Sequence, residues 1–407
     1  GIEEAMSRIA GSTYATSALS RMTASAVDLG EKPAVPSAIA KYHATEAGRR
    51  IVNDAMDVHG GKGAVLGPRN YLGRGYQGMP IWITVEGANI LTRSLMIFGQ
   101  GAIRCHPYVL PEMEAARIED PGKRLEQFDD LLFRHVGYSI SNAVRSMMLG
   151  LSFARFAAVP SDRKTGKYYR KLTRYSAALA FASDIAMLSL GGKLKYKEHV
   201  SARLGDVLSQ LYICSAMLKR FEMQSRPAAD QPILAWAFHD AIFKIQTALG
   251  LVVNNFPSRA IRYLLSIIIF PLGRLERQAG DRLGHKVSQL LLSPSETRER
   301  LTNGAFVSAD ISDPVCLLET ALPRVIATEP LERRLLKAAN AGELISLDPQ
   351  EQLEKAVEQS IITAEEAEEL RAVRAMVSEI IKVDEFDSEE LKAGYANREE
   401  PATDQAA

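Results

Sequence analysis

The sequence predicts an all-α protein. Apolar residues recur at helical spacing over long stretches, and convincing strand alternation is nearly absent. Glycine and proline pairs fall between the periodic stretches, as helix punctuation should. Residues 2–29 read as one helix, ending at Gly30 ahead of Pro33 and Pro36. Residues 37–59 read as a second, with Ala40, Ala44, Ala47, Ile51, Ala55 and Val58 on one face. Residues 60–87 then read as a connection holding eight glycines, in which only 81–85 alternates like a strand. A connection this long inside a compact domain is usually functional. Helical pattern resumes from about 88 to 104. Beyond His106-Pro107 and Pro121-Gly122, four helices are expected at about 124–158, 168–190, 197–223 and 231–254. Gly191-Gly192 stops the second of these, and the short connections suggest a bundle. In the last segment Thr363 and Glu366 form a capping box, and Leu370, Val373, Val377 and Ile380 continue one apolar face.

The chain has 407 residues, 46% hydrophobic and 24% charged, which excludes a disordered or fibrous chain and suggests two or three domains. Cys105, Cys214 and Cys316 show no CxxC or Cys/His spacing, so a reducing compartment and no metal site are expected. No uninterrupted apolar run reaches the roughly 18 residues of a membrane span. The chain opens on Gly1 with an amphipathic pattern already running, and reads as a piece of something longer. Its zero net charge hides an asymmetry. Residues 331–407 carry 9 Lys and Arg against 19 Asp and Glu, and the remainder carries 40 against 30. An acidic tail on a basic body bears on partners and solubility, but no aromatic-basic motif supports nucleic acid as one.

Two features in the glycine-rich connection invite a chemical reading. His59-Gly60-Gly61-Lys62-Gly63 is neither a dinucleotide fingerprint nor a P-loop, because no third glycine and no Ser or Thr follow as those motifs require. By itself it reads as a helix stop and flexible turn, although exposed N–H groups beside a basic residue could cradle a pyrophosphate. Glu86 precedes Gly87 among apolar neighbours. It reads either as an acid serving the dipole of the next helix or as a general base whose apolar surroundings raise its proton affinity.

Three features occur in order: the stretch Ala40-Lys41-Tyr42-His43-Ala44-Thr45-Glu46, the turn Gly60-Gly61-Lys62-Gly63, and Glu86-Gly87 before an apolar helix. Together they resemble the C-terminal helical domain of acyl-CoA dehydrogenases. The stretch Ile83-Thr84-Val85-Glu86-Gly87-Ala88-Asn89-Ile90-Leu91-Thr92-Arg93 is the most specific part. The likeness is to the bacterial type of long-chain fatty-acid degradation, with its extra C-terminal helical region. It implies a dehydrogenase C-terminal helical domain over 1–116, an additional helical domain over 117–330 and an acidic helical tail over 331–407.

The resemblance implies FAD as cofactor and α,β-dehydrogenation of long-chain fatty acyl-CoA in β-oxidation, a step of lipid metabolism. Glu86 would be the base that takes the α-proton while the β-hydride passes to the flavin. Its backbone N–H would help hold the thioester oxygen. Gly60, Gly61 and Gly63 would contact the adenosine diphosphate of FAD, across the subunit interface of a homodimer. Many members carry Thr or Ser two residues after the Glu. This chain has Ala88 there, and Asn89 is a substitute flavin contact. An electron-transfer acceptor would be the redox partner. The family's N-terminal and middle domains would precede Gly1, so this chain would hold the base without the whole site. The rival expectation is a non-catalytic helical module for dimerisation or membrane attachment.

Residues 261–270 form the most apolar stretch, accompanied within 259–277 by Arg259, Arg262, Arg274 and Arg277. They read as a buried helix or as a segment lying in an anionic membrane interface. The expected location is cytoplasmic, with peripheral contact at the inner membrane as the alternative. His135, His199, His239 and His285 lie on separate helical patterns with no ligand spacing and read as ordinary core or surface residues.

Overall fold

The computed structural model describes residues 1–160, 163–345 and 348–389, and no strand occurs among them. In chain order the helices are α1 (Ile2–Asp28), α2 (Ala34–His59), α3 (Gly61–Ala64), α4 (Gly73–Thr84) and α5 (Asn89–Leu91). A π-helical turn (Thr92–Met96) continues α5 into α6 (Ile97–Arg104). Then come α7 (Val109–Ala115), α8 (Pro121–Leu151), α9 (Arg163–Leu190), α10 (Glu198–Met223), α11 (Gln231–Asn255) and α12 (Arg259–Ile269). The remainder are α13 (Asp281–Leu291), α14 (Glu296–Thr302), α15 (Pro314–Asn340), α16 (Pro349–Glu358) and α17 (Ala364–Ile381).

The all-α expectation holds, and three local readings change. The alternating stretch 81–85 is not a strand: α4 runs through most of it, and the Val85 N–H extends the helix by bonding to the Ile81 carbonyl. Five alternating residues have no partner strand to pair with, and a lone strand is not stable. α2 starts at Ala34, earlier than expected, because Pro36 falls in the first turn, where a missing N–H costs nothing. Pro121 likewise opens α8, and Asp120 caps it by accepting the Lys123 N–H at 2.7 Å. That helix ends at Leu151, ahead of Phe153 and Ala154 in left-handed conformation.

Two compact units divide the chain at other places than residues 116 and 330. The first comprises residues 1–54 and 78–303. Its single core draws Tyr14 and Leu19 from α1, Ile39 from α2, Phe98 from α6, Phe181 from α9, Met217 and Phe221 from α10, and Phe238 and Leu249 from α11. Glycines set the closest approaches. A Cβ on Gly11 would stand 2.0 Å from the Trp236 ring, and one on Gly101 would stand 2.7 Å from Leu208. Thus α1 and α6 are fitted directly to α11 and α10, and the expected first and second domains share one interior. By length and composition α9 could cross a membrane. Its Tyr175, Ala178, Phe181, Ala182 and Ala186 are buried in this core, so one face of α9 packs into it.

The second unit comprises residues 55–77 and the chain from 304 onward. Leu335, Ala338, Leu353, Ala356 and Leu370, on α15, α16 and α17, form its core with Ile362 from the link between α16 and α17. The expected capping box is present at α17: Thr363 accepts the Glu366 N–H, and Glu366 accepts the Thr363 N–H. Bidentate pairs Arg324–Glu369 and Arg374–Glu332 tie α15 to α17. The acidic tail is therefore folded as far as it is described; residues 390–407 lie outside the described residues.

Candidate active site

Glu86 and Gly87 form the turn between α4 and α5, both left-handed, at φ 53° and 98°. Gly87 tolerates this conformation freely; for Glu86 it costs of the order of 1–3 kcal/mol, which the surroundings must supply. They do so through α2. Lys41 Nζ donates to the Gly87 carbonyl at 2.7 Å and to Asn89 Oδ1 at 2.7 Å. The buried Asn89 amide in turn donates to Thr45 Oγ1 and Glu46 Oε1, each at 2.9 Å. Thr92 adds a weaker bond to the Gly87 carbonyl at 3.3 Å. Downstream, Arg93 in the π-helical turn grips Asp206 of α10 through two bonds of 2.9 and 2.6 Å. Clamped on both sides, the turn presents Glu86 outward.

The Glu86 side chain is exposed, and no hydrogen bond to its carboxylate or its backbone N–H occurs among the described residues. The apolar enclosure expected around it does not form among the described residues. Trp82, Val85, Leu91 and Ile90 (82% exposed) face outward with it. The dipole reading fails on position, since α5 begins only at Asn89, after an Ala88 cap. Asn89 is committed on both amide atoms to the clamp, so it acts on the turn.

The glycine turn lies in the second unit. Gly60 is left-handed at φ 57° and caps α3. Gly60 and Gly61 have open space where a Cβ would stand, so a ligand could approach their backbone closely. Gly63 has an internal reason instead: a Cβ there would lie 2.8 Å from the Met56 carbonyl oxygen. Asn70 closes the loop by donating to the Gly63 and Val65 carbonyls at 2.8 Å. His59 bonds to the Ala55 carbonyl and the Tyr71 hydroxyl, which makes it part of this local framework.

A buried polar cluster escaped sequence reasoning. His106 and His135 both reach Asp184 Oδ1, at 2.8 and 3.3 Å, while Ser139 donates to Oδ2 at 2.6 Å and Glu112 accepts from His135 Nδ1 at 2.7 Å. His135 is therefore no isolated histidine. Burial alone would raise the Asp184 carboxyl, but the hydrogen bonds from His106, Ser139 and His135 outweigh it and hold the group below the usual range. The three side chains could in principle surround a cation. However, the N–H groups of Tyr108 and Val109 point at His106 Nδ1 (3.2 and 3.3 Å), which places the ring proton on Nε2, facing Asp184. That tautomer makes His106 a donor to Asp184 and not a ligand. No sequence spacing could reveal the cluster, because its members come from α7, α8, α9 and the segment before α7.

A carboxylate and a backbone N–H without hydrogen bonds among the described residues thus lie together on one clamped, left-handed turn of a helical domain. The comparisons with known proteins name the family. Residues 1–97 match the model for the acyl-CoA dehydrogenase C-terminal domain, and residues 103–386 match that for the bacterial type of acyl-CoA dehydrogenase C-terminal region. The chain belongs to the acyl-CoA dehydrogenase family. It is also similar to the crystal structure of an acyl-CoA dehydrogenase complexed with FAD from Bacillus anthracis, at 14% identity and a TM-score of 0.53. That match covers 74% of this chain and 48% of the other, so the chain spans about half its length; at this identity the likeness is one of fold.

Proposed function

We propose that this chain is the base-bearing part of a long-chain fatty acyl-CoA dehydrogenase acting in β-oxidation, with Glu86 taking the α-proton of the thioester. The observation that supports this most is the Glu86 turn, whose carboxylate and N–H are both unengaged and whose backbone is held by Lys41 and Asn89. The carboxylate would accept the proton. The N–H would donate to the thioester oxygen as negative charge develops there. FAD, when bound, would supply the acceptor for the β-hydride, and an electron-transfer partner would later reoxidise it. Gly60 and Gly61 leave room for the adenosine diphosphate of that cofactor, and Asn89 serves it only through the turn. The exposed apolar residues beside Glu86 suit a lining completed by other parts of the enzyme, in a homodimer. In the intact enzyme, Glu86→Gln should lower turnover at least ~10²–10⁴-fold while flavin absorbance is kept. Activity within a few-fold of the parent would assign the proton to another residue.

A cytoplasmic enzyme with peripheral membrane contact is part of the same reading. In α12, Leu265 and Ile269 are buried and Ile268 packs on the core, whereas Tyr263, Leu264 and Ile267 are exposed. Arg262 and Arg274 are turned to carbonyls near the end of α11. The exposed face, not the whole apolar run, is thus what could dip into a lipid interface. Ile267→Glu should abolish co-sedimentation with anionic vesicles and leave thermal melting intact; a parent that never sediments with vesicles removes the membrane contact from this reading.

A further inference from the structure

Helix α10 belongs to the bacterial-type region, yet it reaches the helix that follows the Glu86 turn. Its Asp206 takes the Arg93 guanidinium in a two-pronged pair, Nε to Oδ1 at 2.9 Å and Nη2 to Oδ2 at 2.6 Å. A fork on a carboxylate fixes direction as well as distance. The mount is firm, because the neighbours Leu204 and Val207 are fully buried in the core of the first unit. The α10 backbone also lies against the same segment: a Cβ on Gly205 would touch the Arg93 carbonyl oxygen at 3.6 Å and Ile97 at 3.5 Å. Arg93 sits in the π-helical turn Thr92–Met96, a distortion that is rare and concentrates at functional sites. Its neighbour Thr92 bonds back to the Gly87 carbonyl, so contacts run from Asp206 through Arg93 and Thr92 to the residue after Glu86. Tyr42, beside Lys41 on α2, also faces Arg93. Burial lifts the Asp206 carboxyl above its usual range, against the pull of Arg93 and Arg203. Such a carboxylate is costly to keep charged unless its pair with Arg93 is kept.

We propose that Asp206 is a positioning residue for Glu86, so that the bacterial-type region sets the geometry of the base-bearing turn. The α2 clamp acts on Gly87 and Asn89. The α10 pair acts further along, at Arg93. One anchor fixes the place of a segment; two fix its orientation as well, which a base needs to meet one particular C–H bond. With the second anchor removed, Gly87 stays tied to Lys41 and the turn is free to rotate about it. The role of Glu86 proposed above underlies the catalytic part of this inference; the hold on the turn does not depend on it.

The test compares Asp206→Asn and Asp206→Glu with a control, Asp230→Asn, which weakens the separate pair with Arg300 (2.7 Å) in the same unit. Hydrogen exchange across residues 85–93 is read in this chain, and kcat and KM in the intact enzyme. Asp206→Asn should speed that exchange about tenfold, the scale of one lost charge-assisted contact. It should also lower kcat roughly tenfold with KM within about twofold, the mark of a lost transition-state geometry. Asp206→Glu keeps the charge and should recover both readouts to within about threefold of the parent. Asp230→Asn should lower the denaturation midpoint and move neither. If Asp206→Asn does not fold, Arg93→Lys, which keeps the charge and loses the fork, carries the same expectations. Exchange like the parent's in Asp206→Asn overturns the proposal, and so does faster exchange with unchanged kcat. Equal losses in Asp230→Asn assign the effect to stability and overturn it as well. Failure of the Glu86 reading shows separately, as an active Glu86→Gln.

Discussion

Lys41 Nζ lies 2.7 Å from the carbonyl oxygen of Gly87, the residue that follows Glu86. One ammonium on α2 therefore holds a turn 46 residues away in a conformation that a glutamate would not adopt unaided. Asn89 completes the clamp, and together they hold the backbone of the strained turn that carries the Glu86 carboxylate.

Asn89→Ala removes one of the two acceptors of Lys41 and the donors to Thr45 and Glu46, leaving polar groups of a partly buried network unpaired. Stability should fall by about 1–3 kcal/mol in chemical denaturation. In the intact enzyme, turnover should fall roughly 10²-fold even though Glu86 is retained, because the base is no longer positioned. Unchanged turnover in a destabilised variant would show that the clamp serves folding alone.

Asp184 accepts from His106, His135 and Ser139 in a largely buried site. Asp184→Leu would strand these donors and should cost about 3–5 kcal/mol, read as a lowered urea midpoint. The carboxyl is held low in the folded state, so its contribution is present above the ordinary carboxylate range and is lost as pH falls through the folded value. Acid unfolding should therefore start at higher pH in variants lacking one of the donors, such as Ser139→Ala.

His43 titrates with the opposite chemistry. Burial, with Lys244, Arg50 and Arg93 nearby, pushes it down to about 3, and its Nε2 is buried without a partner. The unfolded chain takes up the proton near the ordinary value of about 6.5, so it binds more protons than the folded chain between there and about pH 3. Stability should fall on acidification across that window, by at most about 1.4 kcal/mol per pH unit from this group. Denaturant melts at pH 7 and pH 5 should show a smaller pH dependence in His43→Gln than in the parent. Equal dependence would mean that His43 charges freely in the fold.

The sequence by itself determined the helices, because capping and apolar periodicity are local. Thr363 with Glu366 opens α17 where the capping box placed it, and α1, α10 and α11 end within a residue of their expected limits. It also pointed to the family, through a short contiguous stretch around Glu86, and the chain belongs to that family. Tertiary structure decided what lay between distant residues. Whether 81–85 was strand or helix depended on having a partner to pair with, and the expected split at residue 116 gave way once Gly11 met Trp236. Lys41 on Gly87, His106 and His135 on Asp184, and Asp384 on Gly67 join residues 46 to 317 apart. Such contacts leave no periodic trace, because each depends on where a packed helix delivers a single polar group.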